Sequence, residues 1–269
     1  MVRKTTLVVF AALLLLVAAG CGGGGESYYV EEDVAEGEAG TSGGAAASGS
    51  TAAVVSADAA TVQGGITLTG TAPDPGKIQM NADPTCAAHH GGQPVVGESV
   101  VVGAAGELAN VFVYVKDYKG PVAAPAGAVL LDQAGCTYHP HVTGVQVGQQ
   151  LVIRNSDETL HNVHALAQTN KEFNIGQPVK GMESVKTFDK PEVMVKIKCD
   201  VHSWMSSYVG VVGHPYFGVS DGSGNFTIAG LPPGTYTLEA WHETFGSQTQ
   251  QIEVGPSETK QVSFTFNAS

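Results

Sequence analysis

Short runs of alternating apolar and polar residues, separated by turn-forming residues, recur along most of this chain. Ile66-Thr67-Leu68-Thr69 is one such run, and the residues from Val193 to Ile197 form another. A period of two is typical of a β-strand that buries one face. After residue 21, no segment of ten or more residues has a helical period. The repeated short strands, with Gly, Pro and Asn between them, predict an all-β protein of the sandwich class.

The run Val111-Phe112-Val113-Tyr114-Val115 differs from the others because it is apolar on both faces. This pattern is typical of a central strand that is covered on both sides. The remaining predicted strands lie at residues 145–147, 151–153, 226–228, 236–240 and 262–266.

The first 21 residues have the features of a secretory signal peptide. Arg3 and Lys4 precede an apolar stretch from Leu7 to Ala19, which is shorter than the roughly 20 residues that a membrane-spanning helix needs. Small residues then lead directly to Cys21, and this order resembles the lipobox of bacterial lipoproteins. The resemblance implies a lipid on Cys21 and, because Gly rather than Asp follows it, an outer-membrane lipoprotein facing the periplasm or the cell surface. An ordinary signal peptide that contains a Cys is the alternative.

Residues 22–62 are rich in Gly, Ala, Ser and acidic residues, and no Lys or Arg occurs between Lys4 and Lys77. Such a segment buries too little apolar surface to offset the entropy cost of ordering, so we predict a disordered tether. An acidic binding tail is the alternative. The whole chain has 25 acidic and 13 basic residues and a formal net charge of −12. This charge argues against nucleic acid as a partner and is compatible with a protein that presents a positive face.

The segment Cys199-Asp200-Val201-His202-Ser203-Trp204-Met205 has the pattern C-x2-H-x2-M. It places a thiolate, an imidazole and a thioether close together in the sequence. Val193, Val195 and Ile197 are expected to point inward. Cys199 continues the same parity, so its sulfur is expected to face the core at the end of a strand.

The residues after Cys199 are predicted to turn back as a loop, so that His202 and Met205 reach the same point. His161 follows a predicted turn at residues 155–157 and offers a fourth ligand. Two imidazoles and a thiolate with a weak axial Met form the copper site that proteins use for electron transfer.

Residues 139–213 resemble the cupredoxins of the plastocyanin and amicyanin group. His161-Asn162-Val163 is similar to the upstream ligand motif of plastocyanin, and C-x2-H-x2-M with an aromatic residue before the Met is similar to the ligand loop of amicyanin. The resemblance implies a Greek-key sandwich with one type 1 copper ion. It implies that Asn162 ties the two ligand loops together, and it assigns the equatorial ligands and the axial ligand to His161, Cys199, His202 and Met205.

Two residues depart from the family pattern. Asp200 puts a carboxylate beside the thiolate, where Ser or Thr is usual, and an unscreened charge there would favour Cu(II) and lower the potential. His164 is an additional histidine, and it allows an alternative site in which His161 and His164 bind zinc together with Cys199 and His202. Because His161 and His164 project to opposite faces of a strand, zinc would need a turn there and is the less favoured metal.

Two cysteines, Cys86 and Cys136, are left over. In an exported protein two such thiols most often pair, so we expect a disulfide. A second metal site is the alternative, because histidines follow each cysteine, at His89, His90, His139 and His141. His214 and His242 are not explained by the copper site and are expected to be surface or interface residues.

Residues 224–236 have the pattern G-x-F-x-I-x-x-L-P-P-G-x-Y. They resemble the carboxypeptidase regulatory-like (transthyretin-like) β-sandwich, which implies a structural or binding module without a catalytic group. Residues 214–269 are few for a complete sandwich of this type. We therefore predict that they pair with residues 63–135, and that the copper domain at residues 136–213 is inserted between them. Two independent small sandwiches are the alternative.

These features together predict a periplasmic, membrane-anchored type 1 copper protein that passes single electrons to a redox partner protein. His202, beside Trp204, is expected to present the edge through which electrons leave. An enzyme is not expected, because one copper ion with four protein ligands has no open position for a substrate. The alternatives are a copper storage or delivery protein, and a structural or surface-binding lipoprotein in which Cys199 and Met205 are ordinary core residues.

Overall fold

The computed structural model describes residues 57–268. The predicted signal peptide, Cys21 and most of the acidic tether lie outside these residues. Strand β1 begins at Ala60, so residues 60–62, which the sequence analysis assigned to the tether, belong to a strand. The assignment was wrong there because Ala60 and Val62 already alternate into the core, where both are buried. None of the described residues forms a helix with the length and apolar character that crossing a membrane would need.

Eighteen β-strands and one short α-helix make up the regular structure of the described residues, which confirms the all-β prediction. The elements in chain order are β1 Ala60–Thr69, β2 Lys77–Ile78, α1 Pro84–His89, β3 Val95–Val96, β4 Phe112–Val115, β5 Val129–Ala134, β6 Thr137–His139, β7 Val142–Gln146, β8 Leu151–Asn155, β9 His161–Leu166, β10 Phe173–Gln177, β11 Glu183–Lys186, β12 Glu192–Lys198, β13 Ser206–Val212, β14 Phe217–Val219, β15 Asn225–Leu231, β16 Gly234–His242, β17 Gly246–Val254 and β18 Thr259–Asn267.

The first sandwich is formed by strands from both ends of the described chain. Its sheets have the strand orders β15-β1-β18 and β14-β4-β16-β17. Strand β1 lies between β15, to which it is antiparallel, and β18, to which it is parallel. Alternate residues such as Val62, Ile228 and Phe264 point into the shared core. Strands before and after the second sandwich in the sequence therefore complete one hydrophobic core.

The second sandwich has the sheets β10-β9-β12-β13-β7 and β11-β8-β5-β6. Strands that are distant in sequence pair within each sheet, β9 with β12, β7 with β13 and β5 with β8, as in a Greek-key sandwich. Strand β5 belongs here, so this sandwich begins before residue 136, the boundary that the sequence analysis gave. The boundary depends on the pairing of β5 with β8, a contact that local alternation does not reveal.

The two sandwiches meet at β4, β7 and β13. Val113 and Val115 of β4 point into the first core. Phe112 and Tyr114, on the opposite face of the same strand, belong to a separate apolar cluster with Val142 and Val212 of the second sandwich. The run was predicted to be covered on both sides, and the second sandwich provides the second cover.

Two glycines allow this close approach. A Cβ atom on Gly210 would lie 2.4 Å from Cζ of Phe112, and one on Gly144 would lie 2.3 Å from Cε2 of Phe217. Glycine in the interior of a strand often marks a place where another group approaches the backbone closely. At these two positions the aromatic rings of the first sandwich occupy the space that a side chain would take.

Residues 77–96 form a segment that we call the cap. Strands β2 and β3 pair with each other, and α1 lies between them. Asp83 is the N-cap of α1 and accepts hydrogen bonds from two backbone N–H groups of its first turn. Met80 and Cys86 are buried in the core of the second sandwich, and Cys86 forms a disulfide with Cys136. The disulfide closes a loop of sequence separation 50, for which chain entropy alone suggests a stabilisation of about 4 kcal/mol.

Candidate metal centre

The ends of two neighbouring strands position the candidate ligands. Strand β9 begins at His161, and β12 ends one residue before Cys199. Val195, Ile197 and Cys199 are all buried, as their shared parity predicts. Val193 breaks the predicted parity, because the register of β12 against β13 shifts between Glu192 and Val195. Val193 packs instead in the cluster between the two sandwiches.

The segment between β12 and β13 folds back on itself as a tight loop. The N–H of Cys199 donates to the carbonyl oxygen of Met205 at 3.2 Å, and the N–H of Met205 donates to that of His202 at 3.0 Å. The N–H of His202 donates to Sγ of Cys199 at 3.3 Å. This loop turns three side chains with nitrogen or sulfur donors toward one end of the sandwich.

His161, Cys199 and His202 form a buried group whose donor atoms all lie within 4.8 Å of one another. The two Nδ1 atoms are 3.0 Å apart, and Nδ1 of His202 is 3.8 Å from Sγ of Cys199. Imidazole nitrogen and thiolate sulfur bind zinc at about 2.0 and 2.3 Å, so donors spread around one such ion are roughly 3.3–3.8 Å apart. The observed spacing is close to this range, and the residues therefore fit a transition-metal ion of the zinc or copper class.

Met205 lies beside this group. Its side chain is 1 % exposed and belongs to the same hydrophobic cluster as Cys199. The backbone of Met205 is hydrogen-bonded to that of Cys199 and to that of His202, so its thioether is held at the same end of the sandwich. A thioether is a weak ligand that suits copper better than zinc.

Asp157 binds the outer nitrogen of His161. Its Oδ2 lies 2.9 Å from Nε2 of His161, and its two carboxylate oxygens accept the N–H groups of Gly135 and Cys136, each at 2.7 Å. Both of these residues have positive φ, 61° and 56°, so the hairpin between β5 and β6 aims two adjacent N–H groups at one carboxylate. Metal-binding histidines commonly donate their other ring N–H to a carboxylate in this way.

The electrostatics of this pair follow from these contacts. Burial by itself lowers the pKa of His161, but Asp157 and the sulfur of Cys199 outweigh it and raise the pKa to about 9. Burial by itself raises the pKa of Asp157, but hydrogen bonds from His161, Cys136 and Gly135 hold it below its usual range. Without metal, the site therefore favours a protonated imidazole at neutral pH.

The sulfur of Cys199 accepts backbone N–H groups on two sides, from Asn162 at 3.5 Å and from His202 at 3.3 Å. Burial alone raises the pKa of the Cys199 thiol, but the hydrogen bond with His161 and the backbone N–H groups lower it. The site thus favours the thiolate, which is the form that binds metal.

His202 is bound from its outer side by the cap. Its Nε2 lies 3.0 Å from Oδ2 of Asp83 and 3.7 Å from Sγ of Cys86. Only 3 % of the residue is exposed. The expectation that His202 presents an exposed edge to a partner is therefore wrong, because α1 covers that edge. Trp204 is partly exposed, its ring centroid lies 5.0 Å from that of His202, and its Nε1–H donates to the carbonyl oxygen of Cys136 at 3.0 Å.

Asn162 connects the two ligand loops. Its Oδ1 accepts the N–H of Asp200 at 2.5 Å, and its Nδ2 donates to Oδ2 of Asp200 at 3.3 Å. The exposed carboxylate of Asp200 also pairs with Lys198 at 2.7 Å, which together with other hydrogen bonds lowers its pKa. The charge that the sequence analysis placed beside the thiolate is therefore screened by a cation.

His164 is separated from the candidate ligands. Its Nδ1 lies 2.9 Å from Oδ2 of Asp200 and its Nε2 lies 2.6 Å from Oε1 of Glu172, so both ring nitrogens are already engaged. It follows His161 by three positions in one strand and faces the other way. The alternative zinc site that included His164 is not formed.

The histidines near Cys86 and Cys136 do not gather into a second site. His90 binds the carbonyl oxygen of Gly135 at 2.7 Å. His89, His139 and His141 bind Asp157, Thr137 and Glu243 respectively. Two other clusters of potential metal ligands occur among the described residues. One consists of Asp83, Cys86 and His202, and the other of Cys136, Asp157 and His161. Each contains a cysteine of the disulfide, whose sulfur is not a free thiolate.

His214 and His242 were expected to be surface or interface residues, but both are buried within the chain. His214 binds the carbonyl oxygen of Val115 through Nε2 at 2.8 Å. His242 is 1 % exposed, accepts the N–H of Thr244 at Nδ1 and stacks on Phe245. Burial lowers the pKa of both histidines, for His242 to about 4. Sequence patterns around an isolated histidine do not show burial of this kind.

Asp83 and Asp157 are the site residues that the sequence analysis missed. Local signals for both exist. Asp83 precedes Pro84 at a helix start, which is the pattern of an N-cap, and Asp157 closes the turn before His161. Neither signal says that the carboxylate will reach a histidine.

A family model described as a carboxypeptidase regulatory-like domain matches residues 209–267, which confirms the resemblance stated for that segment. No curated protein matches the chain.

Solved structures with similarity to the chain include copper proteins. A mutant of amicyanin in the Cu(I) form is 24% identical over 34% of this chain and 94% of that chain, with a TM-score of 0.28. A purple cupredoxin from Nitrosopumilus maritimus is 20% identical over 31% of this chain and 98% of that chain, with a TM-score of 0.27. The copper-containing nitrite reductase NirK from Thermus scotoductus SA-01 is 21% identical over 35% of this chain, with a TM-score of 0.30, and the match spans only 24% of that chain.

Proposed function

We propose that this chain binds one copper ion through His161, Cys199 and His202, with Met205 as the axial ligand, and exchanges single electrons with a partner protein. The observation that carries the proposal is the buried set of two Nδ1 atoms and one Sγ atom at metal-sharing distances. Copper bound there would supply a one-electron Cu(I)/Cu(II) couple. Among the similar solved structures, the amicyanin mutant is described in its Cu(I) form, and the Nitrosopumilus maritimus protein is described as a purple cupredoxin.

The residues around the donors support a rigid site. Asp157 and Asp83 hold the outer nitrogens of the two imidazoles, and backbone N–H groups hold the sulfur. Burial of His161, Cys199 and His202 keeps water away from the donors. A site whose ligands are fixed from outside needs little rearrangement when its charge changes, which suits electron transfer.

Trp204 is the proposed exit for electrons. It touches His202, is partly exposed, and lines a cleft of about 400 Å³ together with Met205 and Tyr138. We propose that the redox partner approaches this side, since the cap covers the edge of His202.

A copper storage or delivery role is the second candidate, and the structure offers it less support. Handling of the ion would be favoured by an exposed, loosely held site in which His164 takes part. The described donors are instead buried, and His164 is engaged by Asp200 and Glu172. The proposal includes no catalysis, because the four protein donors would fill the coordination sphere.

We also propose that the chain is exported and anchored to the outer membrane through a lipid on Cys21. The support is the order of charged, apolar and small residues before that cysteine. In cells grown with a labelled fatty acid, the chain should carry label and sediment with membranes. A Cys21→Ser variant should do neither, and an unlabelled wild-type chain would contradict the anchor.

The copper proposal is tested by adding Cu(II) to the purified chain. We expect an intense visible thiolate-to-copper absorption band and a narrow copper hyperfine splitting. Ascorbate should bleach the band and an oxidant should restore it. Cys199→Ser should abolish the colour, whereas Met205→Leu should keep the colour and change the potential.

Met80→Leu is the matched control, because Met80 is a buried methionine of the same core that is not a proposed ligand. Binding of Cu(I) without a stable coloured oxidised form would favour copper handling. Binding of zinc alone would contradict the copper assignment, and no metal binding would leave a structural or surface-binding lipoprotein.

A further inference from the structure

The cap reaches the candidate copper ligands through a single side chain, that of Asp83. One carboxylate oxygen, Oδ1, accepts the N–H groups of Thr85 and Cys86 at 2.8 and 3.2 Å and so starts α1. The other oxygen, Oδ2, lies 3.0 Å from Oγ1 of Thr159 and 3.0 Å from Nε2 of His202. Asp83 therefore links α1, the turn before His161 and the ligand loop.

The contact fixes the orientation of the His202 ring. A carboxylate accepts hydrogen bonds, so Nε2 of His202 must be the donor and carries the proton. The Nδ1 atom then carries the lone pair that can bind metal, and this atom faces Nδ1 of His161 and Sγ of Cys199. Without this contact the ring could adopt the other tautomer, in which Nδ1 carries a proton and cannot bind metal.

Two further contacts hold the cap over the ring. The disulfide between Cys86 and Cys136 joins α1 to the hairpin of β5 and β6. His90 binds the carbonyl oxygen of Gly135 in that same hairpin at 2.7 Å. Both cysteines are fully buried, so the disulfide is shielded from solvent. The position of Asp83 relative to His202 is therefore set by the sandwich and not by a mobile loop.

We infer that Asp83 is a positioning residue for the copper site: from the cap, it fixes the tautomer and orientation of His202 and adds a negative charge behind this ligand. The inference rests on the proposed copper function. A negative charge close to the ion stabilises Cu(II) more than Cu(I), because Cu(II) carries the larger positive charge. Asp83 should therefore lower the reduction potential.

The test compares Asp83→Asn with Asp74→Asn in the full chain. Asn is as good an N-cap as Asp, so the first variant keeps a side-chain oxygen for the first turn of α1. It loses the charge and the oxygen that accepts from His202 and from Thr159. Asp74 is an exposed residue whose Oδ1 accepts the N–H of Gly76 in the turn before the cap, so the second variant makes the same chemical change away from the ligands.

In the copper-loaded protein, Asp83→Asn should shift the equilibrium about tenfold toward Cu(I), which corresponds to a rise of about 59 mV for one electron. Asp74→Asn should leave the potential unchanged. Equal potentials in the two variants would overturn the inference. If Asp83→Asn failed to fold, Asp83→Ser would replace it, because Ser also caps a helix but has no carboxylate. It should raise the potential in the same way, and an unchanged potential would overturn the inference.

A second measurement uses the metal-free protein and is independent of copper binding. Nitrogen NMR of the His202 ring should show one tautomer, with the proton on Nε2, in the wild type and in Asp74→Asn. The proton should no longer be fixed there in Asp83→Asn. If the chain binds no copper, the proposed function fails while this experiment still decides whether Asp83 positions His202; an unchanged tautomer in Asp83→Asn would overturn the inference.

Discussion

Oδ2 of Asp157 lies 2.9 Å from Nε2 of His161, although the candidate metal would be bound by the other nitrogen of that ring. The same carboxylate accepts the N–H groups of Gly135 and Cys136 and is almost completely buried. One side chain thus joins the hairpin of β5 and β6 to the candidate metal centre. A change at Asp157 is expected to affect both metal affinity and folding.

Asp157→Asn should weaken copper binding by 10- to 100-fold, the usual effect of losing a carboxylate behind a ligand histidine. The variant should also lower the free energy of unfolding of the metal-free protein by roughly 1–3 kcal/mol, because an amide cannot accept all the hydrogen bonds that this buried carboxylate accepts. Competition with a copper chelator measures the affinity, and urea denaturation measures the stability.

Asp221→Asn is the control for this change, since Asp221 is an exposed turn residue of the first sandwich whose Oδ1 accepts the N–H groups of Ser223 and Asn225. It should leave copper affinity unchanged. Equal copper affinities in the Asp157→Asn and Asp221→Asn variants would show that the carboxylate behind His161 does not act on the metal site.

Copper affinity should rise with pH up to about pH 9. The pKa of His161 is raised to about 9 in the metal-free protein, so below that pH the ion must displace a proton from the imidazole. The expected slope is up to tenfold in affinity per pH unit, measured by chelator competition between pH 6 and 9. A pH-independent affinity would mean that His161 does not lose a proton when the ion binds.

The same raised pKa has a stability consequence of opposite sign for the metal-free protein. The stabilisation that protonated His161 provides is fully present below the ordinary histidine pKa of about 6.5 and is lost as pH rises through about 9. Copper binding and metal-free stability should therefore change in opposite directions over this range.

The ligand loop could be predicted from the sequence because its information is local. Val195, Ile197 and Cys199 share the parity of one strand, and His202 and Met205 follow within the same loop. His161 was also placed from its position after a turn. These residues meet in the structure because β9 and β12 are neighbours in one sheet.

The covering of His202 could not be predicted in this way. Asp83 is separated from His202 by 119 residues, and nothing in the residues around either one indicates the contact. The disulfide was expected from the count of unpaired cysteines, and it joins Cys86 to Cys136 as preferred. What the sequence did not reveal is that this bond places α1 directly over a ligand.

The contact between the two sandwiches could be predicted only in part. The run at β4 was predicted to be covered on both sides, but a period-two pattern does not say what covers the second side. Gly144 and Gly210 mark the contact, but this is apparent only when the aromatic rings that occupy their Cβ positions are known. Packing between distant strands fixes these positions, and local propensity carries no information about it.

Gly210→Ala should destabilise the protein by about 1–3 kcal/mol, because the new methyl group would have to displace the ring of Phe112, only 2.4 Å from the Cβ position. Urea denaturation of the metal-free protein measures the loss. Gly176→Ala is the matched control, since Gly176 also lies in a strand but a Cβ there meets nothing within 4 Å.

The double variant Gly210→Ala/Phe112→Leu identifies the cause. If the ring is the obstacle, the double variant should lose less free energy of unfolding than the two single variants lose together. The expected coupling is about 0.5–3 kcal/mol. Additive losses would place the cost of Gly210→Ala elsewhere, for example in the backbone of β13.

The stability of the metal-free protein should fall as the pH decreases from about 6.5 to 4, because His242 is buried as the neutral form. Burial lowers its folded-state pKa to about 4, so in this range the unfolded chain takes up a proton that the folded chain does not. The stabilisation is complete above pH 6.5 and decreases by about 3 kcal/mol at 1.36 kcal/mol per pKa unit. His242→Asn retains an acceptor for the N–H of Thr244 and should flatten this profile, even if it lowers stability at pH 7. His139→Asn, a change at an exposed histidine, should leave the profile as steep as in the wild type, and an equally steep profile in His242→Asn would mean that other groups cause the acid sensitivity.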